Sequence, residues 1–180
     1  MHGVIMAELQ KYVETKFDAA TWQSLLSQAG LGSRMYLPIQ QYPDEEAVAI
    51  VTAASQATGI PADDILEDYG EFIAPDLIAM YRMLVAPEWK TLDVLERTEE
   101  TIHTVVRIRN PGALPPHLKV ERTGPDSVHI SYDSPRHMCA VAKGISKGLA
   151  NYFDEEISIS ETSCMNRGDP TCEIDIRLVA

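Results

Sequence analysis

No apolar run in the 180-residue chain approaches the ~18 residues that a membrane-spanning helix requires, so no segment reads as a membrane span. An export signal is missing too. The stretch from Met1 to Phe17 carries Glu8 and Glu14 and has no small-residue cleavage site. Cysteine is scarce and odd in number, three in all, which without an export signal argues against a disulfide framework. Basic residues fall short as well, 15 against 27 acidic ones, and the net charge of −12 excludes nucleic acid and anionic membrane as natural partners. Internal repeats, low-complexity tracts and long linkers are absent. A cytoplasmic chain folding as one domain over residues 1–180 is expected.

What is present is apolar mass: 45% of the residues are hydrophobic, enough for a core that encloses a cofactor. The first two thirds reads as helix. Val4, Ile5, Leu9, Tyr12 and Val13 recur at helical spacing over 2–16. A second helix over 20–29 ends at Gly30, and a third runs from Asp44, a good N-cap, to Gly59, a C-cap. A fourth begins after Pro61 and breaks near Pro75, with a continuation beyond it. The next covers 91–109, with Leu92, Leu95, Ile102, Val105 and Val106 on its apolar stripe, and stops before Asn110-Pro111. Past residue 111 the texture changes. HLKVERT and SVHISYD alternate like half-buried strands, residues 137–152 return to helical period, and strand-like runs at 155–163 and 171–178 flank a turn-rich NRGDP. The expected fold is α+β: a helical N-terminal region, then a mostly antiparallel sheet with a packed helix.

Tyr132, Ser134 and Arg136 fall at i, i+2 and i+4 at a strand's end, so alternation turns all three to one face. Two hydroxyls and a planar guanidinium there suit carboxylates, since arginine binds them in a two-pronged, charge-assisted way. An exposed strand end with ordinary polar residues fits the spacing as well. His103 differs from the other four histidines in lying beside an apolar stripe in mid-helix. Such a histidine is either a satisfied core residue or a metal ligand. One ligand needs both features, because haem requires an axial base, an apolar slot and two neutralised propionates. No Cys-x-x-Cys-His occurs, so any haem is held non-covalently, as haem b.

These motifs also carry a resemblance. The chain opens Met-His-Gly-Val-Ile, has Ile102-His103-Thr104 on a long helix followed by Leu114-Pro115-Pro116, then Tyr132-Asp133-Ser134-Pro135-Arg136, and fills the next helix with Lys143-Gly144-Ile145-Ser146-Lys147-Gly148-Leu149. Over essentially its whole length it resembles the H-NOX (haem–nitric oxide/oxygen binding) family, related to the sensor domain of soluble guanylate cyclase. The resemblance implies haem buried between the helical region and the sheet, with His103 as proximal iron ligand and Tyr132, Ser134 and Arg136 as the propionate clamp. Ile5 and Pro116 match residues that press on and bend the porphyrin, although plain packing and a rigid turn explain both equally. Oxygen-binding members place a tyrosine five residues after the motif arginine, where this chain has Val141, and their supporting polar positions match Leu9 and Ile73. An apolar distal wall implies a sensor that binds nitric oxide and CO but excludes O₂, unless Tyr12, Tyr36, Tyr69 or Tyr81 reaches in.

Cys139, Cys164 and Cys172 are either buried free thiols or three ligands of a Zn²⁺ site. A subset of the family looks like the latter, using a histidine where this chain has Glu161. With no kinase or cyclase motif of its own, the chain is expected not to be an enzyme. It is expected to act on a separate signalling protein such as a histidine kinase or a cyclic-dinucleotide enzyme. The alternative is a haem-free zinc or thiol redox-sensing or small-molecule-binding module in which His103 merely packs.

Overall fold

The computed structural model describes residues 1–179. Four helices come first: α1 (Gly3–Lys16), α2 (Ala19–Gln28), α3 (Asp44–Thr58) and α4 (Ala62–Tyr81). A segmented helix follows, α5 (Thr91–Arg97) and α6 (Thr104–Arg109), joined by a π turn over Glu99–His103. Then come β1 (His117–Gly124), β2 (Ser127–Asp133), α7 (Cys139–Tyr152), β3 (Ile157–Ser163) and β4 (Cys172–Leu178). The sheet has the order β1-β2-β4-β3, and every pairing is antiparallel. Among the described residues no helix is long and apolar enough to cross a membrane.

Two apolar clusters share the load. Met6, Leu9 and Val13 on α1 pack with Trp22, Ile50, Leu66 and Ile73 in the helical region. Val128, Ile130 and Tyr132 of β2 and Cys172, Ile174 and Ile176 of β4 alternate inward and meet Leu92, Val94 and Leu149. The seam between the clusters is α4 against α7, whose backbones nearly touch. A Cβ added at Gly144 would lie 1.9 Å from the Glu67 carbonyl oxygen, and one at Gly148 would lie 2.4 Å from that of Glu71. The two glycines of the Lys143–Leu149 motif are therefore required by close approach.

Four local expectations are corrected. Pro75 does not break α4, which runs through it. Burial of Ile73, Ala74 and Ile78 on the two clusters, about 1.5–3 kcal/mol for each large aliphatic side chain, outweighs the ~3 kcal/mol that an internal proline costs. Asp44 is not the cap of α3 but its first residue, behind Pro43, and its carboxylate faces Arg136 instead. The helix over 91–109 is not uniformly α. His103 N–H bonds back five residues to the Thr98 carbonyl (2.9 Å), which makes the π turn. Finally, α7 starts at Cys139 rather than 137, because His137 sits at φ 54° in the left-handed region.

Candidate functional site

Between the two clusters lies a cavity of about 270 Å³ with almost wholly apolar walls. Ile5 and Leu9 of α1, Leu77 and Ile78 of α4, and Val141 and Ile145 of α7 form much of it. Val94, Leu95, Ile102, His103 and Val106, together with Pro115 and Pro116 after α6, form more. Ile73, expected at a ligand-facing position, is fully buried in the helical cluster and does not line the cavity; its neighbour Ala74 does. Besides Tyr132, two tyrosines line it as well. The hydroxyl of Tyr69 donates to the Ile5 carbonyl oxygen at 2.7 Å, and Tyr81 is the other.

The His103 side chain is 14% exposed, and its Nδ1 lies 2.8 Å from Glu99 Oε2. Burial lowers its pKa, against the pull of Glu99 and the Pro116 backbone, so the imidazole is neutral. With a carboxylate facing Nδ1, the proton belongs on Nδ1 and the lone pair on Nε2, the tautomer that can ligate a metal. Burial works to raise the Glu99 carboxyl, but hydrogen bonds from His103 and Arg107 outweigh it and hold the group below its ordinary value. The sequence motifs do not single out Glu99, although it carries a signal, an acid one turn before a helical histidine.

Tyr132 and Arg136 line the cavity, and Ser134 stands behind them. Strand β2 ends at Asp133, so only Tyr132 is placed by alternation; the other two sit in the turn leading to α7. Burial pushes the Tyr132 hydroxyl up to about 12, so it stays a donor. Ser134 Oγ accepts from the Arg136 backbone N–H at 3.3 Å. Arg136 donates from Nη1 to the Leu114 carbonyl oxygen. Its Nε lies 2.9 Å from Asp44 Oδ1 without hydrogen-bond alignment, which leaves a buried N–H unpaired at the cavity's edge. A guanidinium beside an apolar slot, ion-paired with Asp44 but with an Nε–H out of alignment, suits a flat ligand with acidic edge groups.

The three thiols also meet. Cys139 and Cys164 sulfurs are 3.7 Å apart, Cys164 and Cys172 are 3.9 Å apart, and all three residues are buried. Glu161 completes a set of four ligand atoms lying within 4.8 Å of one another. One of its oxygens takes Arg167 Nη1 at 3.1 Å, while the other is buried without a partner. Burial pushes the Cys139 thiol far up and raises Cys172 as well. A cation would reverse that, since it holds thiols as thiolates.

A slot lined by aliphatic side chains, with a neutral imidazole on its wall and a guanidinium at its edge, has the chemistry of a cofactor-binding protein and suits a planar, carboxylate-bearing group. The comparisons agree. The chain belongs to the haem-NO-binding family, whose model matches residues 2–161. Among solved structures it is similar to an H-NOX protein from S. oneidensis in the Fe(II)NO state. That protein is 25% identical over 100% of both chains, with a TM-score of 0.93. It is similar to an H-NOX domain from Shewanella oneidensis in the Fe(II)CO state, 25% identical over 99% of each chain with a TM-score of 0.87. A mutant H-NOX protein from K. algicida, Fe(II) and unliganded, is 25% identical over 100% of this chain and 97% of that one, with a TM-score of 0.88. Comparison with curated proteins yields no match.

Proposed function

We propose that the chain is a haem-based nitric oxide sensor. It encloses haem b non-covalently, binds NO and CO through it, excludes O₂, and signals to a separate protein such as a histidine kinase or a cyclic-dinucleotide enzyme. It catalyses no reaction itself. The observation that carries the reading is a neutral His103, its Nδ1 engaged, on the wall of a cavity that also presents Ile5, Leu9 and Val141. His103 is the proximal ligand. Tyr132 and Arg136 hold the propionates, with Ser134 bracing the arginine from behind. Ile5 and Pro116, both on the cavity wall, would press on the ring.

Ferrous haem, when bound, supplies the metal that takes diatomic gases. The protein supplies the choice between them. Oxygen draws negative charge onto itself when it binds and gains from a hydrogen-bond donor, whereas NO needs none. Val141 and Leu9 offer no donor, the hydroxyl of Tyr69 is committed to the Ile5 backbone, and the reading requires the hydroxyl of Tyr81, also on the cavity wall, to stay clear of the bound gas. An absorption spectrum of the purified, reduced protein tests the reading. A haem band that shifts with NO and CO but is identical with and without air is expected. No haem band sinks the reading, and a lasting change in air sinks the exclusion of O₂.

A second reading rests on the thiol cluster. Three buried sulfurs and an unpartnered carboxylate oxygen within 4.8 Å of one another suit a tetrahedral Zn²⁺. Glu161 takes the fourth position. If this were the whole function, the chain would be a zinc or thiol redox module with His103 as packing. Metal analysis with an absorption spectrum decides it: this reading requires one zinc per chain, lost in Cys164→Ser, and no haem band, whereas a haem band in the purified protein overturns it as the whole function.

A further inference from the structure

Glu99 and His103 are four residues apart, yet the carboxylate that meets the imidazole is fixed from well outside their own helical turn. Its Oε2 lies 2.8 Å from His103 Nδ1 and accepts the Leu118 backbone N–H of β1 at 3.3 Å. Its Oε1 accepts Arg107 Nη2 of α6 at 2.7 Å. The Glu99 main chain is tied down as well, since its carbonyl accepts the Thr104 hydroxyl at 3.1 Å across the π turn. Glu99 and His103 are mostly buried and Arg107 is about two-thirds buried. A carboxylate with partners on a π turn, on α6 and on β1 cannot swing away, and the imidazole bonded to it cannot rotate freely.

Nδ1 therefore donates to an anion. Hydrogen bonds to ionised acceptors are about twice as strong as neutral ones. They draw the Nδ1 proton outward and concentrate electron density on Nε2, so the imidazole gains imidazolate character and becomes a stronger donor to a metal. Arg107 acts in the opposite sense, because its guanidinium shares the same carboxylate and takes up part of the negative charge.

Resting on the reading of His103 as iron ligand, we propose that Glu99 is a positioning residue that strengthens the iron–histidine bond, with Arg107 moderating it. The pair would thereby set how readily the histidine is released when NO binds the haem. Leu118 extends the arrangement to the sheet, since the carboxylate holding His103 also holds the start of β1.

The experiment uses haem-loaded protein and three variants: Glu99→Gln, Arg107→Met and the pair combined. In Glu99→Gln the iron–histidine stretching band of the reduced protein should move to lower frequency. The midpoint potential should rise, and the equilibrium constant for histidine detachment under NO should increase about tenfold or more. In Arg107→Met the band should move the other way, to higher frequency, and the double variant should follow Glu99→Gln. Shifts of opposite sign in the two single variants are something a merely structural role does not produce. An unmoved band in both, with haem retained, overturns the proposal and leaves the ligand assignment intact. Absence of any iron–histidine band in the unmodified protein overturns the ligand assignment itself. If Glu99→Gln does not take up haem, the upward shift in Arg107→Met must still appear, and its absence overturns the proposal.

Discussion

Two imidazoles in this chain each sit 2.8 Å from a carboxylate, and their proton affinities move in opposite directions. His129 lies on the solvent side of the sheet, its Nδ1 against Asp175 and its Nε2 against Glu173, and 31% of its side chain is exposed. The hydrogen bond to Asp175, then that to Glu173, raises its pKa. His103, on the cavity wall, has the same kind of partner but is more deeply buried, and there desolvation lowers the pKa. At the exposed site both ring nitrogens are spoken for and the imidazole is a surface charge partner. At the buried site one nitrogen is left with its lone pair. Burial, not the carboxylate, separates a neutral imidazole from an ion-pair member.

The sharpest way to break the contrast is to remove the buried imidazole. His103→Gly should lose most of its haem, with retention restored by added imidazole. Full haem content without imidazole would place the ligand elsewhere. The next effect is at the cavity's edge. Arg136→Ala removes a donor to charged groups, worth about 1.5–3 kcal/mol, so haem should leave about tenfold to a hundredfold faster. Transfer of haem to an excess of apo-myoglobin reports that rate, and an unchanged rate would move the propionate clamp. On the apolar side, Val141→Tyr supplies the missing donor. One hydrogen bond of about 0.5–1.5 kcal/mol should raise oxygen retention by up to about tenfold, read as a spectral change in air that Val141→Phe does not show.

The smallest effect belongs to His129. Its folded-state pKa lies above the ordinary 6.5, so its pairing stabilises the fold fully below about pH 6.5 and the contribution is lost as pH rises through the raised value. Melting temperature should therefore fall slightly across that window and fall less in His129→Gln. Identical profiles would show that the exposed pair contributes nothing, as many surface ion pairs do.

The sequence announced the elements well because their signals are local. Met6, Leu9 and Val13 recur at helical period, Val128, Ile130 and Tyr132 at strand period, and Gly59 ends α3 in the left-handed conformation. Where a single local signal stands alone, packing overrides it. Pro75 stayed inside α4 because Ile73 and Ala74 are completely buried there, and Asp44 turned its carboxylate to an arginine far along the chain instead of capping its own helix.

From residues alone one can determine that an apolar helix carries His103, that a hydroxyl, a second hydroxyl and a guanidinium follow at alternate positions, and that three thiols are available. Those are facts of order and period, written along one dimension. Only the tertiary structure decided that Glu99 holds His103 while bonded to α6 and β1. It alone brought Glu161 to the three thiols and turned Ala74 rather than Ile73 to the cavity. Each of these is a distance between elements. Such distances are set by how two cores pack against each other across glycines that let α4 and α7 approach, and no period in the sequence encodes them.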